Sequence, residues 1–206
     1  MGKYNEEHLK KLLTLGIPWE EMTEEQKKQQ RKEWDKITGD PNELYCTCPR
    51  TGCHNNHNCT QCMTLHRTFD GFPDCLRPID EKVSEGVPMN RRYNMHYKIQ
   101  GGGKGNDLVD EGDPDGSRER ILARGQAEGV DISDILCAWD KIAKDKKNQA
   151  CRCTHSDCWY HGNCVKCIAL HRHFGGFPDC CAYIMDMIEE KNDAYWAEQG
   201  GRPEQK

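Results

Sequence analysis

Seven potential metal ligands occur twice in this chain, in the same order and at one constant offset. Cys46, Cys48, Cys53, Cys59, Cys62, His66 and Cys75 follow the spacing C-x-C-x4-C-x5-C-x2-C-x3-H-x8-C, and Cys151, Cys153, Cys158, Cys164, Cys167, His171 and Cys180 repeat it 105 residues later. Many residues between the donors change while the donors do not. Six thiols and an imidazole held in register point to coordination chemistry as the organising force of the fold. The spacing does not name a reaction.

Composition agrees with such an architecture. The 206 residues have a mean hydropathy of -0.95, with 35% hydrophobic and 31% charged residues. That is too little apolar material for one large core, so two small modules are expected, and modules of that kind need staples. The 14 cysteines supply them. The expected fold class is small, metal-stabilised and mainly α, with two tandem cysteine-rich units, each an irregular knot with flanking helices. The expected boundaries are 1–83 for the first unit, 84–118 for a linker and 119–206 for the second.

Residues 1–13 contain no uninterrupted apolar run and carry Glu6, Glu7, Lys10 and Lys11, unlike a secretory leader. No stretch approaches the length of a membrane span. A reducing, cytoplasmic setting is therefore expected, where thiols coordinate metals more often than they pair. The net charge of -5 offers no basic field for a phosphate backbone, which disfavours nucleic acid as a partner. A protein partner is expected instead, with no membrane involved.

The duplication extends upstream of the cysteines. Trp34-Asp35-Lys36-Ile37 matches Trp139-Asp140-Lys141-Ile142 at the same offset. Thr23 and Gln26 read as a capping box for a helix stopped at Thr38-Gly39, and Asp131 or Ser133 caps the second helix. Ile132, Ile135, Leu136, Trp139 and Ile142 give that second helix one apolar face. Leu12–Gly16 resembles Ile121–Gly125, so each unit reads as short helix, loop, tryptophan helix and knot. After Cys180, Tyr183, Ile184, Met187 and Ile188 share a helical face, with Tyr195 and Trp196 beyond. In the first copy Pro78 replaces Tyr183, which predicts a shorter or later helix. Gly101–Gly105 and Asp110–Gly116 read as linker: the first lacks the Walker spacing, the second the glutamate closing an EF-hand loop.

Cys59, Cys62 and His66 stand at i, i+3 and i+7, as do Cys164, Cys167 and His171, so each trio projects from one helical face. A Cys-x-Cys pair cannot share a helical face and belongs in an extended or turn segment. Two four-coordinate zincs need eight ligand positions, which seven donors provide if one thiolate bridges. One zinc with spare thiols, or one [4Fe-4S] cluster, also fits the count. The histidine favours zinc, one or two ions per unit. His57 and His161 are each present in only one copy and read as polar loop residues. Cys137 and Cys181 read as small buried residues. Asp74 and Asp179 precede the last cysteine of each copy and suit either a carboxylate partner to the ligands or a loop cap.

The second copy, Cys151-Arg152-Cys153-Thr154 through Cys158, His161-Gly162, Cys164, Cys167, His171-Arg172 and Pro178-x-Cys180, resembles a family of short, uncharacterised cysteine-rich bacterial proteins common in anaerobes. The first copy has the same cysteines without the His-Gly pair. The resemblance covers about 30 residues of each copy and implies a cytosolic metal-binding module of an anaerobic bacterium, with no substrate attached. The expected function is that of an intracellular tandem-repeat zinc-binding protein serving as a binding or scaffold module. The alternative is an iron–sulfur redox or metal-handling protein. No Ser-His-Asp set or nucleotide loop is visible, so the reading leans away from an enzyme.

Overall fold

The computed structural model describes residues 3–48, 53, 55–68, 71–83, 86–87, 122–123, 126–127, 129 and 133–202. Apart from Gly86 and Val87, the expected linker 84–118 lies outside the described residues, with Arg91, Arg92, Tyr93 and His96 in it. The described residues are mainly helical and contain no strand. The helices are α1 (Lys3–Leu12), α2 (Glu24–Thr38), α3 (Pro41–Leu44), α4 (Cys59–Thr68), α5 (Arg77–Val83), α6 (Ser133–Lys144), α7 (Lys146–Gln149), α8 (Cys164–His173) and α9 (Ala182–Glu198). Single 3₁₀ turns lie at Trp19–Glu21, Asp74–Leu76 and Asp179–Cys181.

Local chemistry explains these boundaries. The Thr23 hydroxyl accepts from Gln26 N while the Gln26 side chain accepts from Thr23 N, so the capping box of α2 is complete. Gly39 is the C-cap of α2, and a Cβ there would lie 2.7 Å from Asp35 O, so the position calls for glycine. Asp40 caps α3 through Asn42 N and Asp145 caps α7 through Lys147 N, both at 2.8 Å. Asn58 and Asn163 accept from Gln61 N and Lys166 N at 3.2 Å, fixing the starts of α4 and α8. The Cys46 and Cys48 segment and the Cys151 and Cys153 segment are both non-helical, as their spacing requires. Residues 131 and 132 and the side chains of 133–138 lie outside the described residues, and with them Cys137 and most of the apolar face expected on α6.

Buried positions recur at the ligand offset. Met63 and Ile168, Leu65 and Leu170, Phe72 and Phe177, Leu76 and Cys181, and Thr38 and Ala143 are all buried. Cys181 is thus a core residue, as its sequence match to Leu76 implies. Of the two outcomes expected from Pro78, the shorter helix is the one found: α5 starts at Arg77, the position equivalent to Ala182 where α9 starts, and runs 7 residues against 17. Proline is tolerated in a first turn, where no intrahelical N–H bond is lost.

The compact units do not follow the boundaries read from the sequence. One is formed within Met1–Tyr45, Pro78–Tyr93 and Cys151–Lys206, the other within Cys46–Arg77 and Asn94–Ala150. Each therefore joins the tryptophan helix of one copy to the cysteine knot of the other. In the first unit α2 and α3 pack on α8, and Leu12, Trp19, Met22, Trp34, Tyr160 and Leu170 form the core. Trp19 and Trp34 stack with centroids 5.6 Å apart. Tyr160 donates to Asp35 Oδ1 at 2.8 Å and shares a 2.8 Å hydrogen bond with Thr38 Oγ1. Trp19 Nε1 donates to Asp157 Oδ2 at 2.6 Å, which holds that carboxyl below its usual range. Gln30, fully buried, is satisfied by Thr14, Leu15 and Leu12. In the second unit α6 and α7 pack on α4.

Candidate metal centre

The helices α4 and α8 carry the central donors. In the second unit the Cys62 thiol is pushed well up, first by burial and then by the neighbouring Cys75, Cys53, Cys48 and Cys59. In the first unit Cys167 is pushed well up by burial and then by Cys180, Cys158, Cys153 and Cys164. These are the same five positions of the sequence pattern, in the same order of influence. Burial likewise raises Cys153 to about 12 and also raises Cys158, with Cys151 adding to both. Low local dielectric penalises a thiolate, and several thiolates together repel one another. A bound cation removes both penalties.

Electrostatic reach is longer than a coordination bond. Coulomb energy falls only as the inverse of distance, whereas a Zn–S bond is about 2.3 Å long. Among the described residues, no three or more His, Cys, Asp or Glu side chains form a group that could hold a metal ion as placed. The described cysteines stand as thiols, part-buried except for the buried Cys181. Thiols are soft donors, and in each unit four of them lie within electrostatic reach of a fifth, Cys62 or Cys167.

A carboxylate accompanies each set. Cys48 Sγ lies 3.8 Å from Asp74 Oδ2, and the Cys153 thiol likewise bonds Asp179. Burial alone would raise the Asp179 carboxyl, but bonds from Thr154 N at 2.8 Å and Thr154 Oγ1 at 2.9 Å, together with the Cys153 thiol, hold it low. Asp74 is also paired with Arg77. Both readings offered by the sequence apply to Asp179, which caps a loop and touches a candidate ligand.

His171 is placed differently from the expectation for a ligand. Its Nδ1 shares a 2.8 Å hydrogen bond with His8 Nε2, and the ring also bonds the Phe177 backbone. Burial, then the neighbouring His8, lowers its pKa to about 3, and burial lowers His8 to about 4. Both imidazoles are therefore neutral near pH 7. Gly176 makes the room: a Cβ there would lie 2.0 Å from His8 Nδ1. Nothing in the spacing of His8 singled it out, because its only signal is a contact 163 residues away. His66 lies on α4 at the equivalent position.

His57 and His161 are exposed, in keeping with loop roles. His57 has a backbone φ of 62°, and Gly162, its match in the other copy, has φ 80°. Both loops turn through the left-handed region, where a side chain costs about 1–2 kcal/mol. His57→Gly is therefore expected to raise stability by about 1 kcal/mol, read as a higher melting temperature, whereas Gly162→His should lower it by a similar amount. Unchanged melting of both variants would remove this account of the loop.

No helix among the described residues is long and apolar enough to cross a membrane. No protein-family model, no curated protein and no solved structure matches the chain.

Proposed function

We propose that the chain is a tandem-repeat zinc-binding protein of the cytoplasm that acts as a binding or scaffold module, its metals mainly structural. One observation carries the reading: in each copy the same four cysteines lie within electrostatic reach of a fifth, part-buried one, Cys62 in one unit and Cys167 in the other. The proposed ligands are drawn from Cys48, Cys53, Cys59, Cys62 and Cys75, and from Cys153, Cys158, Cys164, Cys167 and Cys180. Cys46 and Cys151 complete the thiol set, and His66 and His171 stand one turn further along α4 and α8. A thiolate-rich shell is typical of closed structural sites rather than catalytic ones. The proposed partner is another protein. Tyr45, Trp159 and Tyr183 are the exposed large hydrophobic residues among those described, and such side chains commonly anchor protein partners.

A second reading has its own support. His171 is engaged by His8 and Phe177, which weakens the imidazole argument for zinc and leaves an all-thiol set. Four thiols suffice for one [4Fe-4S] cluster per unit, which would make the chain a redox or metal-handling protein.

Metal content and a visible spectrum of anaerobically purified protein separate the two. The first reading expects a colourless protein with one or two zinc ions per unit. A brown protein containing iron and sulfide would replace it with the second. A folded protein without metal would sink both.

A further inference from the structure

The assembly of each unit from both sequence copies carries an inference about what a copy binds. In the first unit, Arg172 donates to Tyr45 O at 3.3 Å and to Glu43 O. In the second, Arg67 donates to Asn148 O at 2.6 Å and Ala150 O at 3.2 Å. Arg67 and Arg172, Glu43 and Asn148, and Tyr45 and Ala150 are all pairs at the 105-residue offset. The arginine after the histidine of each copy's repeated pattern thus reaches the same two carbonyls of the other copy. Such reciprocity, in which position i meets j and j meets i, is the signature of an isologous interface between like subunits.

Three further features make this more than a touching of surfaces. Tyr160 of the second copy bonds Asp35 and Thr38 of the first, Thr38 being fully buried. Trp19 and Asp157 bond across the copies, and Lys27 approaches Asp157 at 3.7 Å. His8 and His171 do so in a buried setting. The apolar face of α2 is covered by the second copy's Tyr160 and Leu170, so separating the copies would expose Trp34 and strand buried polar groups.

We infer that the copy is a dimerisation module whose partner is a second copy of the same kind, and that this chain is a tethered dimer in which each copy completes the other's unit. The connection between the copies then raises effective concentration and is not itself required for pairing. This does not depend on which metal the thiols hold.

The test begins with a protease site inserted at Gly101–Gly105 of the full-length protein and cut after purification. The two fragments should remain together, with the native mass of the 23.7 kDa chain plus the insert and an unchanged helical signal. Arg172→Ala in the cleaved protein should weaken their association roughly tenfold to a hundredfold, the effect of losing charge-assisted hydrogen bonds. Elution as two separately folded halves would overturn the inference, as would an unchanged dissociation constant in the variant. The uncut monomer gives an independent reading. A zero-length amine–carboxylate cross-linker should join Lys27 to Asp157 within one chain, and absence of that link under conditions that capture Lys36 with Glu33, an ion pair within α2, would also overturn it.

Discussion

Chelation of the proposed metal under reducing conditions should abolish cooperative melting and most of the far-UV helical signal. Structural zinc contributes on the order of 10–16 kcal/mol in small zinc modules. A whole domain is stable by only about 5–15 kcal/mol. Cys62 and Cys167 are the positions where loss should be greatest, because each has four other thiols of its set within electrostatic reach. Cys167→Ser should release metal from the first unit and destabilise α2 with it, since the core of α2 includes Leu170 and borders Cys158 and Cys167. Calorimetry with parallel metal analysis checks both. A cooperative transition that survives verified metal removal would show that the helices hold these units together without a metal.

Stability should also fall by several kcal/mol between pH 7 and pH 4 through the buried histidine pair. His8 and His171 have folded values of about 4 and about 3, against 6.5 for an unperturbed imidazole. A depressed value means that the unfolded state takes up protons first on acidification. The stability these groups confer is fully present above pH 6.5 and is lost as pH falls through 6.5 toward 4 and 3. At pH 5 each contributes a loss of about 2 kcal/mol, from about 1.4 kcal/mol per pH unit. The charged neighbours act in both directions: Lys11 disfavours protonation of His8, and Asp179 favours protonation of His171 while His155 opposes it. Thiolate ligands would also release metal in acid, so the comparison is with His8→Gln, which keeps a polar group beside His171 but does not titrate. The variant should lose roughly half of the pH slope of the parent protein in urea titrations at pH 7, 6 and 5. Equal slopes would mean that the pair does not carry the acid sensitivity.

Much of the local structure was legible in the sequence for reasons of short range. The i, i+3 and i+7 spacing of Cys59, Cys62 and His66 requires a helix, and α4 and α8 are those helices. Thr23 and Gln26 specify a capping box through contacts three residues apart. The Cys-x-Cys segments are irregular because alternate residues cannot share a helical face. The thiols within electrostatic reach of Cys62 and Cys167 belong to the repeated pattern, though as placed no three or more form a group that could hold a metal ion among the described residues. Pro78 pointed to a shorter or later helix; α5 is the shorter, while its start matches that of α9 because proline in a first turn costs no intrahelical bond.

Only the tertiary structure decided which copy serves which. Two copies with the same tryptophan helix and the same knot offer two pairings, within a copy or between copies, and both bury similar apolar faces. The Trp-Asp-Lys-Ile segment and the cysteine spacing that the copies share are compatible with both, so the repeated pattern does not distinguish them. The choice rests on contacts specific to this chain: Trp19 with Asp157, Tyr160 with Asp35 and Thr38, and His8 with His171. Each joins residues more than 120 positions apart, and the first two have no counterpart in the other copy, where Gly52 and Asn55 stand in place of Asp157 and Tyr160. The sequence alone therefore determined the helices and the duplicated cysteine pattern, which depend on neighbours within a few residues. The crossing of the copies and the partner of His171 depend on side-chain complementarity between distant segments, and that exists only once the chain is folded.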